Sequence, residues 1–129
     1  MAGILNRLRQ AYHWARAVKA YEKSRYDEAV AQLQASDAIS PLTLPDQVLL
    51  ANAFAGNGDY EAASTLYAAC MQRSAERYDD TSSFIFAYAA YMRATVRGDS
   101  EALTHFGRQL SSLQRPDTFR AFVKPDWLP

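Results

Sequence analysis

The residues that could perform acid–base, nucleophilic or metal chemistry are few and far apart in this sequence. His13 and His105 are the only histidines, and neither has a second histidine or a cysteine at the helical spacing of a metal site. The single cysteine, Cys70, has mostly apolar neighbours, which indicates a buried side chain rather than a reactive thiol. The adjacent Asp79 and Asp80 are expected to cap the helix that follows them. We predict no catalytic residue and no metal site.

The strongest glycine signal in the chain predicts a turn. Gly56-Asn57-Gly58 lacks the lysine and the preceding strand that a phosphate-binding loop requires. Glycine and asparagine tolerate the left-handed backbone at which helices end, so the triplet is typical of a connection between two helices. The sequence also contains no nucleophile elbow. We therefore predict a protein that is not an enzyme and that binds no cofactor.

The composition predicts one helical domain. The chain has 129 residues, 49% apolar and 22% charged, with only five glycines and five prolines for turns. A formal net charge of zero argues against general nucleic-acid binding, which needs a surplus of Lys and Arg. The longest apolar run, residues 84–92, is too short to span a bilayer, and no signal-peptide pattern is present. The expected location is the cytoplasm.

Apolar periodicity and turn residues divide the chain into six predicted helices and a tail. The helices are expected near residues 3–23, 26–37, 45–56, 60–77, 83–96 and 99–115. The fifth is apolar nearly all round, so it is either buried between other helices or lines a binding groove. Residues 116–129 carry large apolar side chains among prolines, and they predict a short helical or extended tail that packs on another surface.

The first predicted helix is both amphipathic and basic. Its apolar residues recur at a spacing of three to four and are expected to pack on the second helix: Ile4, Leu8, Ala11, Tyr12, Ala15 and Val18. Residues 1–21 contain four Lys or Arg and no acid, whereas residues 26–72 contain six acids and no base. An alternative is a membrane-surface helix that uses Tyr12 and Trp14 as interface anchors. Because the apolar residues are needed for packing, the prediction is against a membrane partner.

A short motif recurs at a fixed distance. Tyr26-Asp27-Glu28-Ala29 returns as Tyr60-Glu61-Ala62-Ala63, with the two tyrosines 34 residues apart. With the Gly58-Asp59 turn, this pattern resembles the tetratricopeptide repeat family over about residues 12–113. The resemblance places Ala17, Ala51 and Ala63 where two helices would cross closely, which only short side chains permit. Gly98-Asp99 repeats that turn after 40 residues, six more than one period, so the third repeat is degenerate.

The resemblance implies an all-α fold, a right-handed α-solenoid of antiparallel helix pairs. A single domain of residues 1–129 would contain approximate repeats at 8–41, 44–77 and 83–115, followed by the tail at 116–129. In this family the first helix of each pair lines a concave groove. The resemblance places eight of our residues there: Trp14, Val18, Tyr21, Val48, Leu49, Asn52, Tyr88 and Met92.

This predicted lining is apolar or aromatic except for Asn52, whose amide could bond to the backbone of a ligand. The basic residues with which one subclass of the family holds a C-terminal carboxylate are absent from the corresponding positions. Such a lining suits an apolar or amphipathic peptide. The alternative, that these residues are ordinary core, stays open at the level of the sequence.

The function that follows is a non-enzymatic protein–protein interaction module, whether adaptor, scaffold or chaperone-like subunit, whose partner is another protein or peptide. Small bacterial secretion chaperones are similar in size and in repeat architecture. The alternative is a self-assembling structural unit that forms homo-oligomers through its N-terminal helix or its C-terminal tail. In that case the basic first helix and the acidic middle segment would align copies head-to-tail.

Overall fold

Six α-helices make up residues 2–74 and 80–113, which are the residues that the computed structural model describes. They are α1 (Ala2–Glu22), α2 (Tyr26–Ile39), α3 (Leu44–Gly56), α4 (Tyr60–Ser74), α5 (Asp80–Arg97) and α6 (Ser100–Leu113). This part of the chain contains no strand, which confirms the all-α class. The predicted tail at residues 116–129 lies outside the described residues.

The helices are joined in pairs by three turns of the same geometry. Each turn has one residue with a left-handed backbone: Ser24 at φ 58°, Gly58 at φ 85° and Gly98 at φ 69°. The amide of the following residue bonds to a carbonyl five residues back, Arg25 to Ala20, Asp59 to Phe54 and Asp99 to Ala94. This bond is typical of the Schellman turn that ends a helix. Two of these turns lie where the sequence predicted them, at Gly58-Asp59 and at Gly98-Asp99.

Aspartates begin the second helix of the second and third pairs. Asp59 Oδ1 accepts from the amide of Ala62 at 3.2 Å, and Asp99 Oδ1 accepts from the amide of Ala102 at 3.1 Å. Each aspartate therefore caps the helix that it begins. In the first pair Arg25 stands at the equivalent position and makes no side-chain cap.

Helices α1 and α2 run antiparallel. Gln10 Nε2 donates to the Ser40 carbonyl at 3.0 Å, and Arg16 Nη2 lies 3.4 Å from Glu28 Oε1. Later residues of α1 therefore contact earlier residues of α2. In the described residues, every helix packs mainly against the helices before and after it in the chain. Packing between chain neighbours is typical of stacked helical hairpins.

Small residues allow the helices to approach, and large ones fill the space between them. Ala17, Ala51 and Ala63 are fully buried, as the sequence predicted. The interior also contains larger side chains from each hairpin, including Leu33, Tyr67, Tyr88, Met92 and Leu110. Most residues of α5 from Ala87 to Ala94 are buried, so this part of the helix contributes to the core.

The orientation of α1 differs from the sequence prediction. Ile4, Leu8 and Tyr12 are 61%, 63% and 57% exposed, and Ala11 and Ala15 are exposed too. Of the apolar residues expected to face α2, only Val18 is buried. The side chain of Gln10 instead reaches the end of α2, and Ala17 packs in the core. The prediction was wrong because α1 carries a second apolar face, and the face near Ala17 is the one that packs.

The close approach of α2 to the end of α3 gives a testable prediction. A Cβ at Gly56 would lie 2.6 Å from the Tyr26 ring, so Gly56→Ala forces a packed aromatic ring to move. We expect Gly56→Ala to lower the free energy of unfolding by about 1–3 kcal/mol, as overpacking does. In a helix interior, alanine usually stabilises relative to glycine by about 1 kcal/mol. A loss of stability in Gly56→Ala, in place of this usual gain, would therefore indicate the contact with Tyr26.

Gly3→Ala is the matched control, because nothing lies within 4 Å of a Cβ at that position of α1. Urea denaturation followed by circular dichroism gives both values. A stability gain for Gly56→Ala equal to that for Gly3→Ala would contradict the contact between Tyr26 and Gly56.

Candidate functional site

Of the eight residues predicted to line a groove, only Trp14 has a substantially exposed side chain, at 43%. The other seven are buried: Val18, Tyr21, Val48, Leu49, Asn52, Tyr88 and Met92. Trp14 Nε1 donates to Asp46 Oδ1 at 2.9 Å, which fixes the indole on α3. In this conformation a partner at the surface could therefore contact only Trp14 among the eight.

The polar member of that set, Asn52, lies in a buried hydrogen-bond network. Its Nδ2 donates to Tyr21 Oη at 3.4 Å, and its Oδ1 accepts from Tyr67 Oη. A buried polar group without a partner costs about 1–3 kcal/mol, which explains why two tyrosine hydroxyls converge on one amide. The amide that we expected to bond to a ligand is engaged inside the chain, where it joins α1, α3 and α4.

An aromatic contact extends this network to the third hairpin. The rings of Tyr67 and Tyr88 are stacked, with centroids 5.5 Å apart and an interplanar angle of 4°. Burial, and to a lesser extent the neighbouring Tyr88, raises the pKa of Tyr67 well above its ordinary value. The Tyr67 phenol therefore stays protonated and remains a donor to Asn52.

The single thiol is shielded from solvent. Cys70 is fully buried, which confirms the sequence prediction. Burial raises its pKa to about 12, against a smaller lowering by Arg73, so the nucleophilic thiolate is not formed near neutral pH. Cys70 acts as a small core residue.

The two histidines lie on different helices, α1 and α6. His13 Nδ1 lies 2.7 Å from Gln32 Oε1, a contact between α1 and α2. The His105 ring meets the edge of Phe106, with ring centroids 4.9 Å apart. Within residues 2–74 and 80–113 no three His, Cys, Asp or Glu side chains lie together as a metal site would require. The predicted capping by Asp79 and Asp80 lies outside the described side chains.

An open recess of about 220 Å³ lies between α4, α5 and α6, and it is the first candidate interaction surface. Its lining is apolar apart from three charged side chains: Met71, Ala89, Ala90, Arg93, Ala94, Arg97, Asp99, Ala102 and Phe106. Arg93 and Arg97 are exposed and one helical turn apart on α5. We refer to this feature as the α5–α6 recess. In the sequence, this recess corresponds to alanines of one helix that alternate with arginines four residues apart, Ala89, Ala90 and Ala94 with Arg93 and Arg97. This pattern could have predicted it.

The second candidate surface is an exposed apolar face of α1, which we call the α1 stripe: Ile4, Leu5, Leu8 and Tyr12. Sequence reasoning named most of these residues but assigned them to packing. The signal that could have exposed the error is helix length, since α1 has 21 residues and α2 has 14. Because Gln10 already contacts the end of α2, the turns of α1 before Gln10 extend beyond α2 and cannot pack on it.

The acids of residues 26–72 are largely engaged in contacts within the chain. Four carboxylates accept hydrogen bonds from backbone amides or from the indole, and one pairs with Arg16: Asp27, Asp37, Asp46, Asp59 and Glu28. Most acidic side chains of this segment therefore contact helix ends or a neighbouring helix. These carboxylates keep their negative charge, while contacts within the chain fix their positions.

Comparison with known proteins gives no relative from which a function could be transferred. No family model, no curated protein and no solved structure matches the chain. Among the described residues, no helix combines the length and the hydropathy that crossing a membrane requires. The geometry of the two surfaces therefore carries the functional argument.

The Asn52 network gives a second prediction. Tyr67→Phe removes the hydroxyl that donates to Asn52 Oδ1 and leaves a buried acceptor without this donor. We expect the free energy of unfolding to fall by about 1–3 kcal/mol. Tyr12→Phe is the control, because Tyr12 is exposed and its Oη only accepts from Arg16 at 2.9 Å. Its effect should stay within about 0.5 kcal/mol. Equal losses for the two variants in urea denaturation would show that the network contributes nothing specific.

Proposed function

We propose that this protein is a non-enzymatic interaction module that binds an apolar or amphipathic segment of another polypeptide. The observation that carries this proposal is the α5–α6 recess, which is open, mainly apolar and flanked by two arginines. At about 220 Å³ it is smaller than the roughly 300–1,000 Å³ typical of small-molecule pockets. That size suits one side chain of a larger ligand, as in the anchoring of a peptide.

The chemistry of the recess favours a particular kind of segment. Its alanines and Phe106 offer apolar surface to an aliphatic or aromatic anchor. Arg93 and Arg97 can each donate two parallel hydrogen bonds to a carboxylate, so acidic residues beside the anchor would be favoured. Asp99 at the same site disfavours an acid placed next to it. The expected partner is therefore a polypeptide with an apolar anchor and an acidic residue about one turn away.

The repeated architecture supports the same class of function. Three helix pairs with equivalent turns, packed mainly between chain neighbours, fit the tetratricopeptide-like stack that the sequence resembles. Stacks of this kind present extended surfaces to other polypeptides. An adaptor, a scaffold and a chaperone-like subunit, acting in the cytoplasm, are all consistent with this proposal.

Self-assembly head-to-tail, the alternative from the sequence, has less support. It needs an acidic surface to receive the basic first helix, and the six acids of residues 26–72 are divided among α2, α3 and the start of α4. Pairing through the tail at residues 116–129 lies outside the described residues. The recess remains the better basis for a function.

Filling the recess tests the proposal. Ala102→Phe places a large ring in the recess from a partly exposed position, so we expect a captured polypeptide to be reduced about tenfold or more. Ala62→Phe is the matched control, because Ala62 follows Asp59 as Ala102 follows Asp99 and does not line the recess. The measurement is capture from native extract followed by quantitative mass spectrometry.

The buried groove residues are unsuitable for this experiment. A charge at Leu49, for example, would enter the core, and loss of binding would then report unfolding. Equal capture by wild type, Ala62→Phe and Ala102→Phe would reject the recess as the binding site. An Arg93→Glu variant that binds as wild type would reject the acidic component of the ligand.

A further inference from the structure

The α1 stripe is an apolar surface that no described part of the chain covers. Ile4, Leu8 and Tyr12 follow one another at four-residue spacing and Leu5 lies beside them, so the four share one side of the helix. All four are between 57% and 63% exposed. The side of α1 that contacts α2 carries Gln10, among others. The stripe is therefore a surface of α1 additional to its packing face.

Positive charge accompanies the stripe. Residues 1–25 contain six Lys or Arg and one acid, Glu22, in a chain whose formal net charge is zero. Arg7, Arg9 and Lys19 have exposed side chains that make no hydrogen bond or ion pair with other described residues. At the C-terminal end of α1, a recess of about 240 Å³ is lined by four cationic side chains: Arg16, Lys19, Lys23 and Arg25, together with Ala20 and Glu28. The occupant of this surface must therefore tolerate or require many positive charges.

A second copy of the chain does not meet that requirement. Two α1 helices packed stripe to stripe would bring two sets of unpaired cations together without an acid between them. The six acids in residues 26–72 of another copy are divided among α2, α3 and the start of α4. The cations of α1 therefore favour an anionic partner that is not a second copy of this protein.

The shape of the α1 stripe further restricts which anionic partner could bind there. The stripe is the convex side of a single helix, with Arg9 and Arg16 on one flank and Arg7 on the other at helical spacing. Apolar side chains bordered by Arg and Lys, with an aromatic residue among them, are the pattern of helices that lie in the plane of a bilayer interface. We infer that α1 docks on an anionic membrane surface, with the α1 stripe in the interface and the basic residues against lipid headgroups.

This inference revises the sequence-based prediction against a membrane partner. That prediction assumed that the apolar residues of α1 were occupied by α2, and the structure leaves them exposed. Docking through α1 goes beyond the proposed peptide-binding function and uses different residues. The α5–α6 recess shares no residue with the α1 stripe, so the two activities can fail independently.

Vesicle binding by the full chain tests the inference. We expect co-sedimentation with vesicles of equal phosphatidylglycerol and phosphatidylcholine, and much weaker binding to phosphatidylcholine alone. Binding should weaken in about 1 M salt, where the Debye length is about 3 Å. Leu8→Gln should lower the vesicle partition coefficient about tenfold or more, since it removes an apolar anchor. Val96→Gln is the control, because Val96 is also an exposed aliphatic residue but lies on α5.

A second pair of variants separates charge from apolar anchoring. Arg9→Gln should weaken binding to the anionic vesicles about fivefold, whereas Arg108→Gln on α6 should leave it unchanged. Ile4→Gln repeats the apolar test, and circular dichroism of each variant confirms that it is folded. Ala102→Phe should bind vesicles as wild type does, which keeps this result distinct from the peptide-binding test.

Three outcomes would overturn the inference. One is the absence of binding to anionic vesicles at low salt. Another is binding that Leu8→Gln and Ile4→Gln both retain in full, which would indicate adventitious charge attraction. The third is a wild-type dimer that Leu8→Gln dissociates, without vesicle binding, which would assign the α1 stripe to self-association.

Discussion

The buried amide of Asn52 is the interaction on which the arrangement of the helices depends. An amide without partners in the interior is costly, and hydroxyl partners of Asn52 come from α1 and α4. These helices can therefore pack on α3 only where the hydroxyls of Tyr21 and Tyr67 both reach Asn52. The stacking of Tyr67 on Tyr88 carries the same constraint to α5. Apolar contacts alone are less directional, so we infer that this network selects one register of the hairpins.

This network also accounts for the burial of Tyr21, Asn52 and Tyr88, three of the residues that the sequence placed in a groove. The side chains that the family resemblance assigned to a groove are mostly the ones that build the core, and Asn52 is committed to tyrosines of its own chain. Among the described residues, the α5–α6 recess and the α1 stripe present accessible apolar surface. Both carry cationic side chains beside apolar ones. A module that holds an acidic, apolar segment while α1 rests on an anionic membrane is compatible with both surfaces.

Much of the fold could be predicted from the sequence, since its signals are local. Gly58-Asp59 and Gly98-Asp99 specify turns, and Ala17, Ala51 and Ala63 mark close helix crossings. The face of α1 that packs could not be predicted from apolar periodicity, because α1 has two apolar sides and periodicity does not distinguish them. The Ala17 crossing marked the packing side, and the greater length of α1 indicated that part of its other side would stay uncovered. The α5–α6 recess was missed for a related reason, since alanines create a recess only where neighbouring side chains leave the space beside them open.

The most direct test of this account is hydroxyl-radical footprinting of the aromatic side chains in the full chain, because it measures which rings face solvent. Tyr12 and Trp14 should be modified rapidly, and Tyr67 and Tyr88 should be strongly protected until the protein is unfolded. That result would support a closed core with its accessible apolar surface on α1. Modification of Tyr67 and Tyr88 as fast as that of Tyr12 in the folded protein would contradict it, and would indicate that the predicted groove is open.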